Sequence, residues 1–414
     1  RRTQAEVARA VQAAQRSLAD QQALLQQRDA ELEQYRRLLG DARQRQLGGG
    51  AGGGAGGGAG GAGAGGVTAP LRAFAREAGV PRLLIAAFVL FLFGMAFVTK
   101  MDLGGLVSDS IVRVARNGIL VLALLPAIQG GLGLNFGLPI GIICGLIGCV
   151  VSLNFDCTGL IGIALASAIG VGLAVPAGAG YGWLLNRTRG QEMMVGTYLG
   201  FAVVSGMSVF WLVAPFKNPT LVWAIGGKGL RTTLSLTGVF DRVFDRWLQF
   251  TLFGVMVPTG VLLVFFAFCL LVWWFFRTQM GITIAAARSN PRFAKAAGIS
   301  DERTRVQASV LTTVLGAIGI VVYSQSYGFV QLYTAPLLMA FPAIACILIG
   351  GATVSRATVT HVIVGTLLFQ SILTAALPVT SQVIEGDISE TARLIIQNGM
   401  ILYALTRVGG GAKA

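Results

Sequence analysis

The sequence predicts an all-α polytopic membrane protein, and three observations support this fold class. Hydrophobic residues make up 54% of the 414 residues and charged residues 12%, against the ~25% charged residues of a typical soluble domain. The mean hydropathy is +0.71. Long stretches contain no Asp, Glu, Lys or Arg, as helices that cross a lipid bilayer require. Together these features exclude an ordinary soluble enzyme, a secreted disulfide scaffold and a disordered chain.

Residues 1–47 form a separate N-terminal segment that is rich in Arg, Gln, Ala and Leu and therefore predicted to be helical. Apolar residues recur at every seventh position, namely Val11, Leu18, Leu25, Leu32 and Leu39. The second apolar seam that a two-stranded coiled coil needs is poor, because it would consist of Ala14, Gln21, Arg28 and Tyr35. A coiled coil and a single amphipathic helix both remain open. The nine Arg and six acidic residues of this segment do not indicate nucleic-acid binding.

Residues 48–66 contain only Gly and Ala, which is typical of a flexible linker. Such a linker would have a root-mean-square reach of roughly 24 Å and would uncouple the N-terminal helix from the rest of the chain. A tolerated low-complexity insertion is the alternative interpretation. The predicted organisation is therefore an N-terminal helix at 1–47, a linker at 48–66 and a transmembrane domain at 67–414.

Runs with few or no charged residues predict about ten membrane-spanning helices. The runs are 83–99, 117–155, 157–186, 193–216, 247–276, 306–355, 357–384 and 388–406, and the runs 117–155 and 306–355 are each long enough for two passes. Pro and Gly recur within these runs, so we expect some helices to be broken or re-entrant. We expect no charged side chain to lie buried within the spans, which argues against a proton-driven or ion-driven carrier.

The distribution of Lys and Arg predicts which connections face the cytoplasm. With ten spans and a cytoplasmic N-terminus, the basic segment 277–305 lies inside. The same arrangement places Lys100, Arg113 and Arg116 outside, against the usual rule.

Sequence motifs for catalysis and metal binding are absent. The segment 226–229 reads Gly-Gly-Lys-Gly, with Gly where a nucleotide-binding loop needs the hydroxyl that binds Mg²⁺. His361 is the one histidine, too few for the usual zinc motifs, and the five cysteines are interpreted as small apolar packing residues. We therefore predict a protein that is not an enzyme and that binds no cofactor or metal by itself.

The most informative connection is the stretch 281–299, which contains the signals of a short helix. Asn290 and Pro291 are favoured at a helix start and Gly298 at a helix end. Arg292 and Lys295 would edge this helix, and Phe293 and Ala297 would be available for burial. A short helix of this kind can dock into a groove of a soluble partner, and a plain connecting loop is the alternative.

This stretch resembles the coupling loop of permease subunits in binding-protein-dependent ABC importers of the ribose, nucleoside and branched-chain amino acid class. The matching residues are Arg288, Asn290, Pro291, Ala294, Ala297, Gly298 and Ile299, whereas Ser289 replaces the usual Gly. The segment 341–351, which ends in Gly350 and Gly351, and the later Gly365 resemble a second family element. The segment 131–141 resembles the broken-helix motif of the family but lacks its acidic and Gln positions. The resemblance covers residues 81–407.

The resemblance implies a permease in the bacterial cytoplasmic (inner) membrane, surrounded by lipid. It would pair with a second permease copy or homologue, receive its solute from an extracytoplasmic solute-binding protein, and use ATP and Mg²⁺ bound by separate ABC ATPase subunits. The residues implied to contact the ATPase are Arg288, Asn290, Pro291, Arg292, Phe293, Lys295, Ala297 and Gly298. Gly350, Gly351 and Gly365 are expected to be structural glycines.

The stretches broken by Pro and Gly are the candidate translocation pathway. The candidate lining residues are Gln129, Asn135, Phe136, Met339 and Phe341, with ordinary helix packing as the alternative for each. Neutral polar and aromatic lining residues suit a small neutral polar solute, such as a simple sugar or a nucleoside. A secondary transporter or channel and a non-transporting membrane scaffold remain the competing function classes.

Overall fold

The computed structural model describes residues 80–216, 218–219, 221–223, 229–252, 255–383 and 388–410. The predicted N-terminal helix at 1–47 and the predicted linker at 48–66 lie outside these residues. Within the described part almost all regular structure is helical, which confirms the predicted all-α class.

The helices and strands alternate with short connections along most of the described chain. The helices are α1 (Val80–Val98), α2 (Leu103–Leu122), α3 (Leu124–Gln129), α4 (Leu138–Asn154), α5 (Gly159–Arg187), α6 (Glu192–Val213), α7 (Val243–Arg246), α8 (Thr259–Phe275), α9 (Gln279–Ser289), α10 (Pro291–Ala296), α11 (Asp301–Tyr327), α12 (Ala335–Ile349), α13 (Val359–Val383) and α14 (Ile388–Gly410). Two antiparallel pairs of short strands complete the structure, β1 (Thr233–Ser235) with β4 (Phe329–Gln331) and β2 (Phe250–Leu252) with β3 (Val255–Val257).

Five helical segments of the described chain are long and apolar enough to cross a membrane: α2 with α3, α5, α6, α11 and α13. The pair α8 and α9 passes the same test together but is bent by 69°, so it adds a sixth crossing only if the pair is one span. Helices α1, α4 and α12 are apolar but shorter. Helix α14 carries Glu390 and Arg393. The predicted number of ten spans is therefore not confirmed by length and composition.

The prediction that charged residues would be absent from the buried parts of the spans was wrong. Helix α2 begins at Leu103, well before the charge-free run at 117, and so includes Asp109, Arg113 and Arg116. Helix α11 includes Arg305, whose exposed fraction is 7%. Charge-free runs locate the apolar core of a span but miss charged residues that the surrounding structure accommodates.

Glycines allow α4, α5 and α11 to approach one another closely at the centre of the domain. A Cβ atom at Gly145 of α4 would overlap the carbonyl oxygen of Ala317 of α11. A Cβ atom at Gly178 of α5 would lie 2.8 Å from the Cα atom of Val310 of α11. Without a hydrophobic effect between helices in lipid, contact of this kind provides the packing energy that holds them together.

The helices run back and forth between two ends of the domain. One end, here called the Arg288 end, consists of residues 129–137, 186–192, 277–305 and 350–358. The side-chain bonds from Arg305 to Asn186 and from Arg288 to Val354 hold these segments together. The opposite end consists of residues 153–159, 229–258 and 325–334, and the backbone bond from Arg242 N to Gln325 O is one of its links.

The predicted structural glycines lie where α12 meets α13 at the Arg288 end. A Cβ atom at Gly350 would overlap the carbonyl oxygen of His361, and one at Gly365 would overlap that of Cys346. Gly351 has φ 92° and follows the last turn of α12, where a left-handed conformation favours glycine.

We expect Gly350→Ala to lower the unfolding temperature of the detergent-solubilised protein, because the new methyl group forces the backbones of α12 and α13 apart. The expected cost is about 1–3 kcal/mol, as for other overpacked sites. Gly180→Ala is the matched control, since a Cβ atom at this position of α5 has no neighbour within 4 Å. Equal unfolding temperatures for the two variants would show that the close approach of α12 and α13 does not matter for stability.

Candidate functional site

The candidate site is built on the bend between α8 and α9. Thr278 accepts a hydrogen bond from Gly281 N at its side-chain oxygen and so begins α9. A Cβ atom at Gly281 would overlap the carbonyl oxygen of Phe275, so the sharp bend requires glycine there. The buried Ile284 and Ala287 then hold α9 against the rest of the domain.

Helix α10 follows directly and matches the short helix predicted from the sequence. The carbonyl oxygen of Asn290 accepts the first helical hydrogen bond from Ala294 N at 2.9 Å. At the other end, Ile299 N donates to Ala294 O and Gly298 N donates to Lys295 O, with φ 78° at Gly298. These paired bonds form the Schellman arrangement that ends a helix at a left-handed glycine.

The exposed surface of α10 differs from the sequence-based expectation in one respect. Ala297 was predicted to be available for burial but is exposed, whereas Ala294 is the buried alanine, with an exposed fraction of 2%. The reason is the tight turn at Gly298, which leaves Ala297 beyond the last helical turn. Arg292 and Lys295 are exposed as expected, and the side chains of Pro291 and Phe293 lie outside the described part.

Arg288 connects α9 to two other parts of the same end. Its Nη2 atom donates to the carbonyl oxygen of Val354 at 3.3 Å. Its Nη1 atom lies close to Gly131, where a Cβ atom would be 3.2 Å away. Nearby, Gln129 Nε2 donates to the carbonyl oxygen of Ala357 at 2.9 Å. The last turn of α9, which leads into α10, is thus connected to the turn after α3 and to the connection between α12 and α13.

Arg305 is the most heavily bonded of the described side chains at this end, and no sequence motif marks it. Its Nη2 atom lies 2.7 Å from Glu192 Oε1, and its Nε atom donates to Asn186 Oδ1 at 3.0 Å. Two longer bonds, both 3.4 Å, run to the carbonyl oxygens of Gly131 and Leu185. Arg305 therefore joins α5, α6, α11 and the turn after α3. A basic residue immediately before a long apolar run was the one signal available in the sequence.

Asn135, a predicted pathway residue, stabilises the break between α3 and α4. Its Oδ1 atom accepts from Gly137 N at 2.9 Å and from the Tyr181 hydroxyl at 2.8 Å. Only 3% of Asn135 is exposed, and its Nδ2 atom has no hydrogen-bond partner in the described structure. The side chain thus fixes the turn while leaving one buried donor unused.

The other predicted pathway residues are only partly brought together. The rings of Phe136 and Phe341 contact each other, with centroids 6.0 Å apart and planes tilted by 57°. Met339 packs against the main hydrophobic core, and Gln129 lies at the Arg288 end.

An open cavity of about 520 Å³ lies beside this network. Its lining residues are Gly131, Leu132, Gly133, Gly190, Gln191, Glu192, Met193, Met194, Arg288 and Val354. The cavity and α10 therefore share one end of the domain, and Arg288 belongs to both.

The Arg288 end is the more basic of the two ends of the domain. Its basic residues are Arg187, Arg189, Arg277, Arg288, Arg292, Lys295, Arg303, Arg305 and Arg356, and its acidic residues are Glu192, Asp301 and Glu302. The described residues of the opposite end, including those near the start of α2, are nearly balanced. Their basic residues are Lys100, Arg113, Arg116, Arg231, Arg242 and Arg246, and their acidic residues are Asp102, Asp109, Asp156, Asp241 and Asp245. Positive charge of this kind favours the cytoplasmic side of a membrane protein.

A family model described as the branched-chain amino acid transport system / permease component matches residues 106–405. This match confirms the resemblance of residues 81–407 to ABC importer permeases. No curated protein and no solved structure matches the chain significantly. With the apolar helices described above, the match makes the chain a multi-pass membrane protein.

We expect Arg305→Ala to be strongly destabilising, because it leaves the largely buried carboxylate of Glu192 without its partner. Breaking a buried ion pair costs about 3–5 kcal/mol, which would appear as a lower unfolding temperature in detergent. Arg189→Ala is the matched control, since Arg189 pairs with Asp301 at 3.0 Å but both side chains are more than two-fifths exposed. That control should cost about 1 kcal/mol or less. A similar change in both variants would contradict a structural role for the Arg305 network.

Proposed function

The chain belongs to the family of branched-chain amino acid transport system permease components, and from this premise we propose that it forms the transmembrane pathway of an ABC importer in a bacterial inner membrane. In this proposal ATP and Mg²⁺ are bound by separate ATPase subunits, a second permease pairs with this one, and an extracytoplasmic binding protein delivers the solute. The chain itself is not an enzyme and holds no cofactor.

The observation that carries the proposal is the position of α10. It is a short, exposed and basic helix, closed at both ends by its own backbone bonds, at the more positive end of the domain. An exposed short helix that is held in place by a packed neighbouring helix, here α9, can bind in a groove of a soluble partner. We infer that Arg292, Lys295, Ala297 and Gly298 face the ATPase, together with Asn290, Pro291 and Phe293 from the same segment.

The contacts of α10 also indicate how movement would reach the spans. Arg288, in the last turn of α9 before α10, donates a hydrogen bond to Val354 in the connection between α12 and α13. Gln129 of α3 donates to Ala357 in the same connection. A partner that pulls on α10 therefore acts on α3, α9 and the start of α13 together. Coupled transport requires contacts of this kind that differ between two states of the domain.

The cargo class is supported by the residues at the break between α3 and α4. Phe136 and Phe341 form an aromatic contact there, and the buried Nδ2 atom of Asn135 is an unused donor. Neutral groups can bind a solute without holding it too tightly for release. These residues support a small neutral polar solute, such as a simple sugar or a nucleoside.

The absence of buried charged side chains was the sequence argument against a secondary transporter. The buried Arg305 weakens this argument. Arg305 is nevertheless bonded to Glu192, Asn186 and two backbone carbonyls, which is the arrangement of a structural ion pair. A proton relay would need a carboxylate that can change partners, and Glu192 is held at 2.7 Å. The ABC permease therefore remains the function that the geometry supports best.

We expect deletion of residues 290–298 to abolish capture of ABC ATPase subunits when the permease is purified from native membranes. Gly298→Val should weaken capture at least tenfold, because a β-branched residue resists φ 78° and the helix end would shift. Gly172→Val is the control, since a Cβ atom at this exposed position of α5 meets no neighbour. Unchanged capture by the deletion variant, with normal insertion into the membrane, would refute the assignment of α10.

A further inference from the structure

A second polar site lies at the end of the domain opposite to α10. A cavity of about 230 Å³ is lined by Asp109, Val112, Arg113, Arg116, Arg242, Ser326 and Tyr327. A neighbouring cavity of about 450 Å³ shares five of these residues and adds Met256 and Pro258, among others. The two cavities thus adjoin each other at these shared residues, and nothing in the proposed passage around Asn135 requires them.

Arg116 lines both cavities and forms no ion pair in the described part of the chain. Its Nε atom is buried without a hydrogen-bond partner. The guanidinium group instead lies over two aromatic rings, 5.5 Å from the centroid of Tyr323 and 5.2 Å from that of Tyr327. Contacts with aromatic rings offset only part of the cost of removing this charge from water.

Asp245 and Asp241, at the same end of the domain, are occupied by other partners. Asp245 accepts from the Ser326 hydroxyl at 2.8 Å and from Gln325 Nε2 at 3.3 Å. Burial raises the pKa of Asp245 above its ordinary value, because desolvation disfavours the charged carboxylate more than these hydrogen bonds favour it. Asp241 forms ion pairs with Arg242 and Arg246. Arg116 is therefore left as a cation whose planar donor groups are unused.

The balance of charge around the smaller cavity favours an anion. Three arginines line it, namely Arg113, Arg116 and Arg242, against the single aspartate Asp109. Arg242 pairs with Asp241, which leaves Arg113 and Arg116 without an ion pair in the described part of the chain. The larger cavity is less positive, since Asp109 and Asp245 both line it. Arginines still outnumber aspartates in both linings, so a carboxylate meets a net positive field, and one negative charge is enough to pair with Arg116.

We propose that the two cavities form a binding site for a small monovalent carboxylate, with Arg116 as the main binding residue. The planar guanidinium group can donate two parallel hydrogen bonds to a carboxylate. Arg113 supplies a second positive charge at the same cavity. Val112, Met256 and Pro258 provide an apolar wall for the remainder of the ligand.

The binding experiment uses the purified full chain in nanodiscs of zwitterionic lipid at constant ionic strength. The probes are acetate, propionate and 3-methylbutanoate, with the corresponding neutral amides as references. We expect the carboxylates to raise the unfolding temperature saturably and the amides to have no effect. Equal shifts from the amides, or from chloride and sulfate at the same ionic strength, would overturn the proposal.

Substitutions then assign the effect to the site. Arg116→Gln should weaken carboxylate binding at least tenfold, and Arg116→Lys should weaken it less because the charge remains while the planar donor pair is lost. Arg187→Gln is the control, since this exposed arginine stacks on Trp183 near the Arg288 end. If Arg116→Gln does not fold, Arg113→Gln provides the test, with a several-fold weakening expected. Unchanged binding in the folded arginine variants would contradict the proposal.

This binding test is independent of the proposed ATPase partnership, because the assay contains neither ATP nor an ATPase. The Gly298→Val variant should bind carboxylates as the unmodified chain does. The same unfolding-temperature measurement is repeated in nanodiscs that contain anionic lipid. If anionic lipid alone abolishes the carboxylate response, the site takes a lipid headgroup and the proposal of a small solute fails.

Discussion

The ion pair between Arg305 and Glu192 is the interaction on which the arrangement of the candidate site depends. A charged pair in a helical membrane domain persists only when its remaining donors and acceptors are also satisfied. Arg305 meets this condition through Asn186 and the carbonyl oxygens of Gly131 and Leu185. As a result four separate segments share one cation, and the platform beneath α10 is held in a single geometry.

Close packing through glycine supplies the second constraint. At Gly145, Gly178, Gly350 and Gly365 the backbone of one helix occupies the space where a side chain would otherwise stand. Rigid helices then move as units, so that a force on the connection at Val354 is transmitted to α12 and α13. The turns of the site instead use left-handed glycines at positions 131, 298 and 351.

The sequence predicted the local features of the site well, because their causes are local. Asn290, Pro291 and Gly298 mark the start and end of α10 through backbone preferences of single residues. The sequence could not show that Arg305 reaches Glu192 and Asn186, since these partners lie more than one hundred positions away. The sequence was also misleading for α2, because the charge-free run begins at residue 117 whereas the helix begins at Leu103. Arg116 lies inside this helix, where the rings of Tyr323 and Tyr327 accommodate its charge. Ala297 was placed wrongly because the turn at Gly298 changes which alanine faces the domain.

The most direct test of the account is the sidedness of α10, measured with a membrane-impermeant maleimide on intact cells. Single cysteines would be placed at the exposed positions Ala296 and Thr237, which lie at the two opposite ends, with Cys157→Ser as background because the other four native cysteines are buried. If α10 faces the cytoplasm, Thr237→Cys is labelled in intact cells and Ala296→Cys only after lysis. Labelling of Ala296→Cys from outside would place α10 beyond the reach of any cytoplasmic ATPase and would contradict the account.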